Sequence, residues 1–253
     1  MTELLKDKIA IVTGGAKGLG RAVATSLDAA GATVVVTDSD GDGAQAVAAE
    51  LVHGEGATCD VRDDDQVEEL LGWVTQRHGS VDIMVANAGI ATVAPITEMP
   101  VEEWRSVLAV NLDGVYSSVR HAGRSMAGNG GGAIITMASI TGFSGSPLIS
   151  HYAAAKAGVI SLTRTAAVEW RDHGVRVNAI CPGWIGTDLV YDRVPQFEGA
   201  LGIDFDALIT QKQGRLGTVD DVTPLAVFLA SERSRFCSGS TFVVDGGMDA
   251  ALV

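Results

Sequence analysis

Lys8-Ile9-Ala10-Ile11-Val12-Thr13-Gly14-Gly15-Ala16-Lys17-Gly18-Leu19-Gly20 joins a β-branched run directly to a cluster of glycines, and the residues that follow, to about position 30, have the apolar spacing of a helix. Glycines at a sharp strand-to-helix turn leave backbone N–H groups and the positive helix end open to an anion such as a pyrophosphate. The spacing here is GxxxGxG, not the more familiar GxGxxG. Taken alone, such a turn is equally well an ordinary tight connection, so its meaning depends on the rest of the chain.

Working outward, the sequence alternates short runs rich in Val, Ile and Thr with longer helical stretches. Strands are predicted at 8–13, 33–37, 57–59, 82–86, 133–138, 175–180 and 241–244, and helices near 19–30, 43–53, 64–78, 101–126, 151–172 and 219–230. Most strand runs lack polar alternation, as suits strands buried on both faces of a parallel sheet. Gly31, Gly79 and Gly174 stand where helices should end. The expected fold is α/β: a doubly wound, seven-stranded parallel sheet in a single domain spanning 1–253. Residues from about 189 to 213 carry Tyr191, Pro195, Phe197 and Phe205 with weak periodicity, and are expected to form a mobile helical flap over the pocket.

Composition narrows the function. The 253 residues are 47% hydrophobic, enough for a sizeable core. Eighteen basic residues against 31 acidic ones give a net charge of −13, which repels a phosphate backbone and argues against nucleic-acid binding. No segment runs 18 uncharged apolar residues, and the N-terminus lacks the pattern of a signal peptide, so a cytoplasmic, non-membrane protein is expected. Cys59, Cys181 and Cys237 show no CxxC spacing and read as reduced thiols, with no metal or disulfide role.

Several chemistry-bearing residues fall at the ends of predicted strands, where open parallel sheets bind ligands. Asp38, about 20 residues past the glycines, suits a hydrogen bond to an adenosine ribose and repels a 2′-phosphate, which favours NAD(H). Lys17 pulls weakly the other way. Asp60, followed by Val61, has two readings: an acceptor for the adenine amino group, or the cap of the next helix. Asn87-Ala88-Gly89 ends the fourth strand and Ser139 follows the fifth. Tyr152 and Lys156 lie at i, i+4, on one helix face. An ammonium and a cationic nicotinamide would both favour the phenolate of an otherwise weak base. His151, beside Tyr152, is either a site-lining group or a hydrogen-bonded neighbour.

The ordered set Thr13 to Gly20, Asp60, Asn87-Ala88-Gly89, Asn111, Ser139, Tyr152, Lys156, Pro182-Gly183 and Asp245-Gly246-Gly247 resembles the short-chain dehydrogenase/reductase family in its compact single-domain form, over nearly the whole chain. The resemblance implies that Tyr152 is the general acid/base, Lys156 lowers its pKa and holds the nicotinamide ribose, Ser139 orients the substrate oxygen, and Asn111 supports a proton-relay water. It implies that Gly14, Lys17, Gly18, Leu19, Gly20, Asp38, Asp60, Val61, Asn87, Ala88 and Gly89 hold the cofactor. Pro182, Gly183, Ile185 and Thr187 would surround the nicotinamide. It also implies a homotetramer, and the Ala-rich face of 151–170 allows close helix packing.

Ile140, Phe143, Ile149, Trp184, Leu189 and Tyr191, with Thr92 and Val93 opposite, are the expected substrate pocket. Their apolar character suggests an alicyclic, aromatic, steroid-like or acyl secondary alcohol or ketone. The competing expectation is a 3-oxoacyl thioester reductase. It would dock an acidic carrier, for which residues 128–132 and 171–174 offer little basic charge. A dinucleotide sensor without chemistry is disfavoured by the complete tetrad, and an epimerase or dehydratase by the absence of a larger C-terminal substrate domain.

Overall fold

The computed structural model describes residues 3–250. Its elements are β1 (Ile9–Thr13), α1 (Gly18–Ala29), β2 (Thr33–Asp38), α2 (Gly41–Glu50), β3 (Gly54–Thr58), α3 (Asp64–His78) and β4 (Ile83–Ala86) in the first half. The second half comprises α4 (Val101–Leu108), α5 (Gly114–Gly128), β5 (Gly132–Met137), α6 (Ser150–Glu169), β6 (Val175–Pro182), α7 (Asp188–Tyr191), α8 (Val194–Leu201), α9 (Phe205–Gln213), α10 (Val219–Ala230) and β7 (Thr241–Val244). All seven strands pair in parallel in the order β3-β2-β1-β4-β5-β6-β7.

Strand alternation splits the core in two. Ile11, Val35, Met84, Ile134 and Val177 face α3, α5 and α6, while Ala10, Val12, Val34, Val36, Ile83 and Val85 face α1, α2 and α10. Both faces are therefore apolar, which is why the strand sequences do not alternate in polarity. Strand order reverses between β1 and β4, and the crevice there opens at the carboxyl ends of both strands.

Three boundaries differ from expectation. The third strand is Gly54–Thr58, not 57–59, and the preceding helix ends at Glu50. As an edge strand it contacts α2 so closely that a Cβ on Gly54 would sit 2.2 Å from the Ala48 carbonyl oxygen; the glycines required by that approach hide the β signal. The expected 101–126 helix is interrupted by a π-helical turn at Ala109–Asp113. The helix expected to run to 172 stops at Glu169 and gives way to a short 3₁₀ turn closed by Gly174 at φ 73°. The 189–213 stretch is helical as expected, comprising most of α7 and all of α8 and α9.

Candidate active site

The glycine turn is shaped by close backbone approach. Gly14 has φ 64°, and a Cβ there would lie 2.7 Å from Ala88 Cα. A Cβ on Gly20, in the first turn of α1, would lie 2.0 Å from the Gly14 carbonyl oxygen. Only glycine fits either position. Asn87 ties β4 to this turn, its Nδ2 donating to the carbonyls of Thr13 (2.9 Å) and Gly14 (3.0 Å). The Thr13 hydroxyl in turn accepts from the N–H groups of Asn87 (3.0 Å) and Ala88 (3.2 Å).

Asp38 closes β2 beside the same turn. Its Oδ2 accepts from the Ala16 N–H at 3.1 Å and its Oδ1 from the Asp40 N–H at 3.1 Å. The carboxylate is thus locked at the cavity edge, with Asp40 and Asp60 as further acids on the lining. Lys17 is the N-cap residue of α1 and exposed, and its side chain makes no cap bond. Asp60 is gripped by Arg62, whose Nε lies 2.9 Å from both carboxylate oxygens. That bond holds the Asp60 carboxyl below the usual range. The second reading of Asp60 does not hold: α3 is capped by Asp63, which accepts from the N–H groups of Asp65 and Gln66.

Ser139, Tyr152 and Lys156 converge on one cavity of about 780 Å³, which the glycine turn, Asp38, Asp60, Val61, the Asn87 to Gly89 segment and the Pro182 to Thr187 segment also line. That volume suits a large bound molecule. Lys156 is 3% exposed; its Nζ donates to the Met137 carbonyl at 2.7 Å and lies 5.4 Å from the Tyr152 ring centroid. Burial lowers its pKa to about 8. Tyr152 goes the opposite way: burial lifts the phenol to about 12, partly offset by the Ser139 hydroxyl. Desolvation is thus the largest influence on the phenol. The Ser139 Oγ also accepts from the Thr141 N–H (3.2 Å) and hydroxyl (3.0 Å), which aims it at the end of β5.

Asn111 stands apart. It is fully buried in the π turn, and its amide is spent on the backbone of Ile90, accepting from the N–H and donating to the carbonyl, both at 2.8 Å. It shapes the segment after Gly89 and its side chain does not line the cavity. His151 is the hydrogen-bonded neighbour: it is 0% exposed, its Nε2 is 2.7 Å from the Thr92 hydroxyl and 3.7 Å from Glu103, and its Nδ1 accepts from the Tyr152 N–H at 2.8 Å.

At the far end, Ile140, Ile149, Trp184, Leu189 and Val93 line the cavity as expected. Phe143, Tyr191 and Thr92 do not: Phe143 is 44% and Tyr191 57% exposed, and Thr92 is turned to His151. Phe197, named in the sequence only as part of the flap, lines the cavity and meets Trp184 edge-on with centroids 5.4 Å apart, and Arg193, which the sequence reading missed, lines it too. The sequence reading also missed Gln213, 5% exposed, whose amide accepts from the Trp184 N–H and donates to its carbonyl, both at 2.8 Å. Gln213 thereby pins the turn after Pro182. Among the described residues there is no cluster suited to a metal ion and no helix long and apolar enough to cross a membrane.

Comparison with known proteins agrees with this geometry. A family model described as enoyl-(acyl carrier protein) reductase matches residues 14–249. The chain is 41% identical to cis-4-hydroxycyclohexanecarboxylate dehydrogenase of Sinomonas cyclohexanicum, covering 99% of this chain and 100% of that one. It is 38% identical to the NADP-dependent (R)-specific alcohol dehydrogenase of Lentilactobacillus kefiri, covering 99% and 100%. A short-chain type dehydrogenase/reductase of known structure from Mycobacterium marinum superposes with a TM-score of 0.89 at 38% identity, over 97% of both chains. With glycines that a Cβ would block, an acid closing β2 and a Ser-Tyr-Lys cluster at the sheet's carboxyl edge, the chain belongs to the short-chain dehydrogenase/reductase family, oxidoreductases that bind a nicotinamide dinucleotide and act on CH–OH groups.

Proposed function

We propose that the protein is an NAD(H)-dependent dehydrogenase of apolar, ring-containing secondary alcohols. The observation that carries this is the shared cavity: Ser139, Tyr152 and Lys156 meet on one wall, Asp38 closes one end, and Ile149, Trp184, Leu189 and Phe197 close the other. The glycine turn, Asp38, Asp60 and Asn87 to Gly89 would hold the adenosine and phosphate part, and Lys156, Pro182, Gly183, Ile185 and Thr187 the nicotinamide riboside. The dinucleotide, when bound, supplies the hydride acceptor or donor and, in its oxidised form, a positive charge near the phenol.

Tyr152 then exchanges the hydroxyl proton of the substrate. As a neutral phenol, the form its burial favours, it is ready to donate in the reductive direction; in oxidation it must first lose its proton. Ser139 donates to the substrate oxygen as charge develops there. Lys156, fixed by the Met137 carbonyl, keeps a cation 5.4 Å from the phenol ring. The Asn111 side chain is occupied by Ile90, so its part is to hold the segment after Gly89 against the π turn.

NAD(H) is favoured by charge: Asp38, Asp40 and Asp60 border the adenosine end, and Arg62 there is already committed to Asp60. A 2′-phosphate would meet the carboxylates of Asp38 and Asp40, with the exposed Lys17 as the cation not already paired to an acid there. An acidic carrier is a poor partner, since Arg120, Arg124 and Arg171 each face a carboxylate. The α7 to α9 segment serves as the substrate flap. A homo-oligomer would have exposed Tyr116, Val168 and Phe236 to cover.

The test is turnover by purified protein with NAD⁺ and NADP⁺ over cyclic and aromatic secondary alcohols, with Tyr152→Phe as control. Oxidation with NAD⁺ that vanishes in the variant is expected. Higher turnover of carrier-linked 3-oxoacyl groups than of free ketones would refute the substrate class.

A further inference from the structure

Four cationic side chains border the cavity: Lys17, Arg62, Lys156 and Arg193. Lys17 and Arg62 stand at the glycine-turn end, and Lys156 is buried against the Met137 carbonyl. Arg193, between α7 and α8, is the cation of the opposite end, where the remaining wall is largely apolar.

Its surroundings are unusual for this chain. Arg62 grips Asp60 through Nε and one terminal nitrogen, and Arg215 grips Asp221 with both terminal nitrogens at 2.7 Å. The Arg193 side chain is only 24% exposed, yet among the described residues its bonds are one from Nε to the Ala91 carbonyl (2.9 Å) and one from a terminal nitrogen to Asp192 (3.3 Å). Asp192 is itself 66% exposed, so that contact is screened and weak. Those two bonds leave further donors of the guanidinium unused at the cavity border, and the geometry of the fork matches a carboxylate.

The anchor on Ala91 ties Arg193 to the reacting groups. Ala91 lies two residues beyond Gly89, where a Cβ would stand 3.8 Å from Lys156 Nζ, and two residues of chain span about 7 Å at most. The fork is therefore fixed to the short rim segment whose other end abuts Lys156.

We propose that Arg193 is a specificity-determining residue that receives a carboxylate, so that the substrate is a hydroxy acid: a ring or short apolar frame with a secondary alcohol at one end and a carboxylate at the other. This rests on the reading of the cavity as that of an alcohol dehydrogenase, and it deepens that reading by naming the second functional group. Asp188 and Asp192 also border this end, but both are exposed, whereas the Arg193 side chain is only 24% exposed and is anchored on Ala91.

The experiment compares 3- and 4-hydroxycyclohexanecarboxylates with their methyl esters, in the wild-type protein and in Arg193→Met and Arg193→Lys. Wild type should favour the acid, chiefly through KM. Arg193→Met should lose about 10- to 100-fold in kcat/KM on the acid but less than about threefold on the ester, with Arg193→Lys between. Equal losses on acid and ester would overturn the inference, since Arg193 would then only hold the flap to Ala91. Calorimetric titration of the acid into the NAD-loaded protein gives a second readout. Weaker binding to Arg193→Met supports the inference even if none of these alcohols is oxidised, an outcome that would count against the proposed reaction alone. Unchanged binding refutes the inference.

Discussion

Replacing Asp38 by Asn removes one charge at the edge of the cavity while nearly keeping the side chain's shape. A carboxylate about 5 Å from a phosphate charge, at an effective dielectric near 20, costs about 3 kcal/mol, and part exposure of Asp38 reduces this to about 1.5–2 kcal/mol. The kcat/KM for NADP⁺ should therefore rise about 10- to 30-fold. Loss of a charged acceptor for a ribose hydroxyl should lower that for NAD⁺ by about tenfold. The cofactor ratio would then move by roughly two orders of magnitude. Full reversal is not expected, because Asp40 and Asp60 remain on the lining. The amide can serve only one of the two backbone donors now held by the carboxylate, those of Ala16 and Asp40, so the melting temperature should fall by about 2–4 °C. Steady-state kinetics with both cofactors, alongside calorimetric binding, read the effect directly. A wild-type preference for NADP⁺, or a ratio unchanged in Asp38→Asn, would refute the assignment of Asp38 as the discriminating charge.

Three further outcomes follow from the same geometry. Tyr152→Phe should reduce kcat by about 10²- to 10⁴-fold while NAD⁺ binding changes little; in wild type, alcohol oxidation should climb with pH as the raised phenol ionises, whereas reduction should decline. Gly20→Ala should fold yet bind NAD⁺ at least tenfold more weakly, because its methyl group would meet the Gly14 carbonyl and force the turn open; wild-type affinity would contradict the cradle. His151, facing Thr92 and Glu103, has its pKa lowered chiefly by burial, so the unfolded chain binds more protons and stability should drop as pH falls below about 6.5. Denaturant midpoints measured from pH 7 to pH 5 should decline less steeply in His151→Gln, and parallel slopes would show that the acid sensitivity originates elsewhere.

The sequence by itself determined the architecture and the reacting groups, because both are written in local patterns. Non-alternating runs such as Val34-Val35-Val36 announce strands covered on both faces, glycines at 14, 18 and 20 announce a backbone turn, and Tyr152 and Lys156 share a helix face through the pitch of the helix alone. Tertiary structure decided whatever depends on contacts between distant residues. That Asp63 and not Asp60 caps α3, that the Asn111 amide is spent on Ile90, and that His151 is buried against Thr92 were not readable, since each rests on a partner chosen by packing. The Arg193 bond to Ala91 spans 102 residues and that of Gln213 to Trp184 spans 29, with no spacing to betray either. Phe143 and Tyr191 were misplaced for the same reason: an aromatic side chain near a cleft turns inward or outward according to its neighbours. The upward push that burial gives Tyr152 was likewise a tertiary result, since burial follows from the whole fold.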